Sequence, residues 1–451
     1  MTDGHGKRAV VLGASIAGLL AARVLGRHFG QVLVLERDEL PADTSPGPRP
    51  GTAQGHHAHV LLRRGLSGME ALLPGFVERL TSSGAVLLDA GRDWAAVFPQ
   101  GDFPRFDAGL EFICASRWLM EHAVRNLVLA QHDNIVVRDH CQVLSVALSA
   151  TQAPRIRIED RQTRIREELV ADLVIDATGR NSAAEKWLAQ SGFGPVATHL
   201  TKPLLGYATC VYEGIESVGD ARAALVMARD PDMPRGGVLF PVEGNRHICT
   251  LYGFGDHPPT GDLQGYLDFA ASLRSDIIFQ AIRHARPVQE LKSFRKDESV
   301  FRDYAARQTG WPAGFLVTGD AVASINPIYG QGMTSAVLAA ENLDRLLQRD
   351  MTAGWSRAAQ RAIVDAMRKA WKIAASEDLR WPEPGQQADM ATRLNHRIAD
   401  AIGRAASVDR QVTMAYMQVL HMLQPPESML MPSMLFRIWR GSRRVRYAAS
   451  A

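Results

Sequence analysis

A strand-length apolar run, Arg8–Leu12, stops at Gly13, and a helix-spaced apolar stretch, Ile16–Leu25, begins almost at once; the turn between them reads Gly13-Ala14-Ser15-Ile16-Ala17-Gly18. This is the dinucleotide fingerprint G-x-G-x-x-G with Ser15 in place of the middle glycine. Such a turn aims backbone N–H groups and the positive end of a helix dipole at a pyrophosphate, and serine is small enough to keep the approach open. Small-residue turns between strand and helix are common, so the fingerprint needs a second sign. A further apolar run, Gln31–Leu35, ends at Glu36, about 20 residues on, where an acid takes ribose hydroxyls. That carboxylate disfavours a 2′-phosphate, so the adenosine of FAD or NAD suits the site better than that of NADP. The chain opens as a βαβ unit.

Three hundred residues later a buried-strand signal, Phe315–Val317, runs into Thr318-Gly319-Asp320-Ala321-Val322 and then Asn326-Pro327-Ile328-Tyr329-Gly330-Gln331-Gly332-Met333, with a helix expected from about Gly332 to Leu347. A carboxylate at a strand end, Asp320, can accept hydrogen bonds from a polyol such as a ribityl chain. The glycines Gly330 and Gly332 let N–H groups at a helix N-terminus approach a delocalised anion, and reduced flavin is one. An ordinary strand–loop–helix explains the turn residues but not Asp320, Pro327 and Gly330-x-Gly332 together.

At 451 residues the chain exceeds one ordinary domain, and with 46% hydrophobic and 22% charged residues it is a folded globular protein. A net charge of +3 argues for no nucleic-acid partner. The four cysteines, Cys114, Cys141, Cys210 and Cys249, have no C-x-x-C pair, which fits a reducing cytoplasm. No stretch approaches about 18 uninterrupted apolar residues, and no secretory leader is read, so no transmembrane segment is expected. Residues 40–55, rich in Pro, Gly, Ser and Thr, read as an extended loop. Ser116 caps an expected helix over 117–129. Strand signals follow at 135–137, 155–159, 164–170 and 173–176, and then at 206–212, 238–242 and 247–253, which suggests a separate, mostly antiparallel sheet. From 351 onward the chain reads as helical, with a Pro-broken interval at 381–385; the arginines of 437–446 read as a solvated helix end.

The expected fold is therefore α/β: a Rossmann-like FAD-binding domain, discontinuous over 1–75, 110–185 and 290–350. A substrate-binding antiparallel sheet domain would be inserted at 76–109 and 186–289, with a helical C-terminal region over 351–451.

The opening fingerprint, Gln54-Gly55-His56-His57-Ala58-His59, Ser116-Arg117, Asp176-Ala177-Thr178-Gly179-Arg180 and the Gly319-Asp320 block together resemble the flavoprotein monooxygenases of the aromatic-hydroxylase superfamily. Within it they are similar to bacterial FAD-dependent epoxidases and hydroxylases of natural-product pathways, such as the polyether epoxidases. The resemblance implies a cofactor domain of the GR2 type holding FAD, with Gly13, Ser15, Ile16, Ala17 and Gly18 at its pyrophosphate, Glu36 at the adenosine ribose and Arg37 on the adenine side. It also implies the backbone of Val143 at the adenine edge, Gln54 and Arg117 toward the ribityl and phosphate region, and Thr178, Gly179 and Gly319 around them. Asp320 would bind the ribityl chain, Gly330, Gln331, Gly332 and Met333 would face flavin N1 and the C2 carbonyl, and Pro327 and Tyr329 would lie by the face where O2 reacts.

What the resemblance implies chemically is insertion of one oxygen atom from O2, through a flavin C4a-hydroperoxide, into a lipophilic substrate by epoxidation or ring hydroxylation. An alkene needs no side-chain base, so the lack of an acid/base pair in the motifs is compatible. Thr178 stands where the superfamily has the aspartate of its Asp-Gly motif, which sets reduction by bound NAD(P)H against reduction through a separate flavin reductase. A reductase of isoprenoid double bonds and a non-catalytic flavoprotein remain as alternatives; a halogenase is disfavoured, because its Trp-x-Trp-x-x-Pro signature is absent. Alternation offers Tyr207, Thr209, Val211, Phe240 and Tyr252 as substrate-lining residues, each of which fits sheet core equally well. His56, His57 and His59 lack a nearby carboxylate or cysteine, so no metal is expected.

Overall fold

The computed structural model describes residues 6–41, 45–259, 261–296, 298–306, 310–349, 351–382 and 388–449. Its centre is a five-stranded parallel sheet in the order Phe315–Val317, Leu173–Asp176, Arg8–Leu12, Gln31–Leu35 and Ile135–Arg138. Strands buried on both faces must be apolar throughout, and Val10, Val11, Leu12, Val174, Ile175, Leu316 and Val317 are all fully buried. The register pairs Leu12 with both Leu35 and Asp176, and Asp176 with Val317. Gly13, Glu36, Ala177 and Thr318 therefore leave the sheet along one edge, the carboxyl end, where open α/β sheets bind ligands.

Helices cover the sheet. Ile16–Leu25 is buried along nearly its whole length. Arg117–Gln131 starts at Ser116, whose hydroxyl accepts from the Leu119 N–H. Gly332–Leu347 and the long helix Trp355–Asp378 pack on each other. The edge strand Phe315–Val317 would leave peptide groups unpaired. Gln360, on that long helix, answers them with its side-chain amide: the Val317 N–H donates to Oε1 at 2.7 Å, and Nε2 donates to the Val317 carbonyl at 3.1 Å.

The second layer is a sheet with eight strands among the described residues. Leu205–Glu213, Arg246–Phe254 and Arg235–Val242 form its antiparallel centre, and each is longer than its sequence signal. One neighbour differs from the antiparallel expectation: Ala223–Val226 pairs in parallel with Trp94–Phe98, a strand contributed from far upstream. One face, carrying Ala208, Cys210, Tyr212, Cys249 and Leu251, is closed by the helices Leu263–Ala271 and Ile277–Ile282. The opposite face, carrying Val211, Phe240 and Ile248, is closed by the C-terminal helices Met390–Ala406, Arg410–Leu420 and Pro432–Ala449 through Ile402, Val412, Met417 and Ile438.

Residues 40–55 are not wholly extended: Pro50–His56 winds into 3-10 turns, with proline at the position where its missing N–H costs nothing. Residues 42–44 of this stretch, and 383–385 of the expected C-terminal break, lie outside the described residues. Glu111–Cys114 pairs with Val86–Asp89 and Val60–Leu61 in a small three-stranded antiparallel sheet.

Candidate functional site

The two motif blocks meet at the carboxyl edge of the parallel sheet. Gly13 has φ +99°, and a Cβ there would press on the Ala177 carbonyl; a Cβ on Gly18 would overlap the Gly13 carbonyl oxygen. These glycines hold the strand, turn and helix at their close approach. Gly319, φ +64°, comes so close to Ala17 that a Cβ would lie 2.7 Å from the alanine methyl. Residues three hundred positions apart are thus in contact.

Ser15 does more than leave room. Its hydroxyl donates to Glu121 Oε2 at 2.8 Å and accepts from Arg117 Nη2 at 2.8 Å. Arg117 is buried, and burial pulls its guanidinium below the ordinary value, although Glu121 and Asp320 favour its charge. Asp320, exposed at the strand end, therefore faces the same arginine that holds Ser15. Glu36 is buried and accepts from the N–H groups of Ala14 at 2.8 Å, Arg37 at 2.9 Å and Asp38 at 3.1 Å.

Arg49, which sequence reading passed over inside a loop, is the hub of this cluster. Its guanidinium lies 2.7 Å from Glu121, 3.3 Å from Glu36 and 3.5 Å from Asp38, with its side chain only 3% exposed. The Arg37 side chain points outward, over half exposed, beside Asp38. Val143 lies on the strand Cys141–Ala147, half-buried; the Cys141 N–H donates to the Glu36 carbonyl at 2.7 Å, which ties this strand to the ribose-side acid. Gln54 is half-buried within the 3-10 turns, four residues before Ala58. Thr178 is exposed, and its N–H and hydroxyl both donate to buried Asp176, at 2.9 and 2.6 Å, before the left-handed Gly179.

On the other side of the site, Gly330 has φ +65° and passes Val60, while Gly332 opens a helix with nothing within 4 Å of a built Cβ. The loop before it is pinned from behind by Asp378, a residue no motif pointed to. Asp378 closes the long helix, is 2% exposed, and accepts from Asn326 Nδ2 at 2.7 Å, Thr201 Oγ1 at 2.8 Å and Tyr329 Oη at 3.3 Å. Burial raises its pKa above the usual carboxylate value against those donors. Pro327 is exposed and Ile328 half-buried, so the loop presents apolar groups outward.

The five substrate-lining expectations fall on one sheet face but not in one place. Tyr207 faces Tyr252 across the ladder, and with Leu205, Ala228 and Phe254 they form a small apolar cluster against which Ile328, Phe294 and Trp381 pack. Phe254 and Trp381 stack with centroids 4.7 Å apart. Val211 and Phe240 lie farther along, in the core under the C-terminal helices, where Phe240 packs on Trp94 and Phe112. Thr209 lies between and is fully buried.

Thr209 Oγ1 is 2.8 Å from His57 Nδ1 and 2.7 Å from Thr250 Oγ1, and the His57 ring packs edge-on against Tyr207 at 4.4 Å. Burial, with His59 and His56 nearby, pushes His57 down to about 3, so its imidazole is neutral. The three histidines diverge: His56 packs on Trp118, and His59 Nδ1 donates to the His57 carbonyl. Among the described residues no group of three potential ligands is placed to hold a metal.

A flavin dinucleotide fits what this edge leaves unanswered. Arg49 Nη2, Arg117 Nε, Gln331 Oε1 and Thr334 Oγ1 are buried with no hydrogen-bond partner among the described residues. Two lie by the fingerprint and two at the start of the helix Gly332–Leu347, so a ligand with polar groups at both ends is the kind that would reach all four regions.

The fold so assembled is that of the FAD-dependent monooxygenases. It superposes on p-nitrophenol 4-monooxygenase PnpA from Pseudomonas putida with a TM-score of 0.65 at 17% identity, over 93% of this chain and 99% of that one. No family model matches the chain. Its sequence is 31% identical to Protein Rv3254 of Mycobacterium tuberculosis over 75% of this chain and 73% of that protein, and the chain belongs to the same family. It is also 26% identical to kynurenine 3-monooxygenase of Salinispora arenicola, over 90% of this chain and 84% of that enzyme.

Proposed function

We propose that the protein is an FAD-dependent monooxygenase that places one oxygen atom of O2 into a lipophilic substrate, by hydroxylation of an activated ring or epoxidation of an alkene. Bound and reduced, FAD activates O2 and supplies the electrophilic oxygen. The reading rests above all on the four buried, unanswered polar atoms around a glycine-opened sheet edge.

Each residue has a task in it. The turn Gly13–Gly18 presents N–H groups to the pyrophosphate, with Arg117 and Arg49 supplying positive charge beside it. Glu36 and the strand at Val143 hold the adenosine side, Asp320 the ribityl side. Gly330, Gln331, Gly332 and Met333 bring a helix N-terminus to the flavin ring, where its dipole favours a developing negative charge. Ile328, Tyr207, Tyr252, Phe254, Phe294 and Trp381 make an apolar wall that excludes water from the reacting face. The neutral imidazole of His57, oriented by Thr209, is a hydrogen-bonding group at the border of that wall. Electrons would come from NAD(P)H, either directly or through a separate flavin reductase, the second route being the one that Thr178, in place of the Asp-Gly carboxylate, favours. Four unpaired, buried cysteines suit a reducing, cytoplasmic setting.

The test is to load the purified protein with FAD, reduce it with NADH, NADPH or an added reductase, and admit isotopically labelled O2 with candidate aromatic and alkene substrates. One labelled atom in the product supports the reading. Anaerobic conversion of an alkene to an alkane would replace it with a double-bond reductase. Protein that refuses FAD altogether would overturn it.

A further inference from the structure

Five of the fourteen large apolar side chains left exposed among the described residues fall within ten positions: Leu430, Met431, Leu435, Phe436 and Trp439. Three of them lie on the helix Pro432–Ala449, which has two unlike sides. Its inner side is fastened to the molecule. Ile438 and Ser442 are buried, Gly441 lies against Ala405 of the helix Met390–Ala406, and Arg437 bonds Asp409 at 3.1 Å.

At about 100° per residue, Leu435, Phe436, Trp439 and Arg443 share a stripe on the outer side, with Arg440 and Arg444 along its border. The Phe436 and Trp439 rings are 6.1 Å apart, and the Arg443 guanidinium sits 5.1 Å from the Trp439 centroid. Trp439, Arg440, Arg443 and Arg444 line one open depression. The helix carries five arginines, Arg437, Arg440, Arg443, Arg444 and Arg446, and no acidic residue at all.

Arginine alone would be a solvated helix end, as the sequence suggested. An uncovered aromatic stripe beside it asks for a partner that is apolar at one depth and anionic at its surface. A second copy of the same face would set arginines against arginines. A bilayer interface supplies both requirements: Trp and Phe settle at the headgroup boundary, and guanidinium groups pair with phosphates in forked geometry.

We propose that the outer stripe of the helix Pro432–Ala449 is a peripheral membrane-binding surface for bilayers containing anionic phospholipid. Leu435, Phe436 and Trp439 enter the acyl boundary, and Arg440, Arg443 and Arg444 meet the phosphates. No described helix is long and apolar enough to cross a membrane, so attachment would be in the plane of the interface.

The full-length protein is sedimented with vesicles of phosphatidylcholine alone and of equimolar phosphatidylcholine and phosphatidylglycerol, at low and high salt. Binding should be about tenfold or more tighter to the anionic vesicles and should weaken with salt. Phe436→Ser with Trp439→Ser should lower it about tenfold or more. Arg440→Gln with Arg444→Gln should remove most of the anionic preference. Both double variants alter exposed side chains, so their thermal midpoints should match the wild type. Wild-type protein that stays in solution with anionic vesicles, or variants that sediment as the wild type does, would overturn the proposal. So would dimers that depend on Phe436 and Trp439 and form without lipid, since a second copy would then cover the face.

Discussion

Arg49 lies among Glu36, Asp38 and Glu121 with one nitrogen still unanswered. Removing one partner of a buried charge cluster strands the others, at a cost of about 3–5 kcal/mol. Arg49→Met should therefore lower both the denaturant midpoint of the apoprotein and its affinity for FAD. Arg49→Lys keeps the charge without the fork and should fall between. Equal FAD titrations for all three would remove Arg49 from the site. Asp378 supports a different prediction. Asp378→Asn preserves hydrogen-bonding size and should melt within about 1 kcal/mol of the wild type, whereas Asp378→Leu leaves Asn326 and Thr201 donors unmet, at about 1–3 kcal/mol each. Denaturation curves of the two variants separate these outcomes, and flavin retention reports whether the loop 326–330 has moved.

At the scale of elements, two helix N-termini define the site, and their glycines do different work. Gly18 is fixed by the chain's own packing, since a Cβ would overlap the Gly13 carbonyl oxygen; Gly18→Ala should misfold or melt early. Gly332 has empty space where a Cβ would go. A Cβ there meets nothing within 4 Å in the apoprotein and would sit where the cofactor ring is proposed. Gly332→Ala should thus leave the apoprotein's unfolding free energy within about 1 kcal/mol of the wild type, yet weaken FAD binding about tenfold or more. Paired melting and flavin titration decide it: unchanged affinity would mean the helix start is not the cradle. The edge strand Phe315–Val317 shows how elements depend on one another, for the outward N–H and carbonyl of Val317 are both met by Gln360 from a helix forty residues on.

Across the whole molecule, buried histidines couple stability to pH. Burial pushes His421 down to about 4 and His57 to about 3, both below the ordinary value of 6.5. His421 Nδ1 accepts from the Arg63 N–H, which joins the C-terminal region to the helix Arg63–Leu72. Because the folded-state values are depressed, the unfolded chain binds protons first. Stability is then full above pH about 6.5 and falls as pH drops toward 4, by a limit on the order of 3 kcal/mol for His421. Thermal midpoints measured from pH about 7.5 to 4.5 should decline through this window, and His421→Asn should flatten the decline. An unchanged slope in that variant would place the acid sensitivity elsewhere. At neutral pH, FAD at a hundred times its dissociation constant should add about 2.7 kcal/mol of stability by linkage and so raise the midpoint.

Local chemistry made part of this readable from the chain. The strand, turn and helix at Gly13, the acid at Glu36, the helix Gly332–Leu347 and the buried strands Leu173–Asp176 and Phe315–Val317 are written in apolar period, glycine placement and capping, which act over a few residues and so survive in linear order. Arg49, Asp378 and Gln360 carry no such mark: each is an unremarkable residue until a distant partner is brought to it. The same holds for Tyr207 and Phe240, alike by alternation, which the packing of one beneath the Ile328 loop and the other beneath the C-terminal helices sets apart. Periodicity and turn chemistry were determined by sequence alone. Which buried polar groups are answered, and which wait for a ligand, was decided only by the tertiary fold, because burial and long-range pairing exist only once the chain has closed on itself.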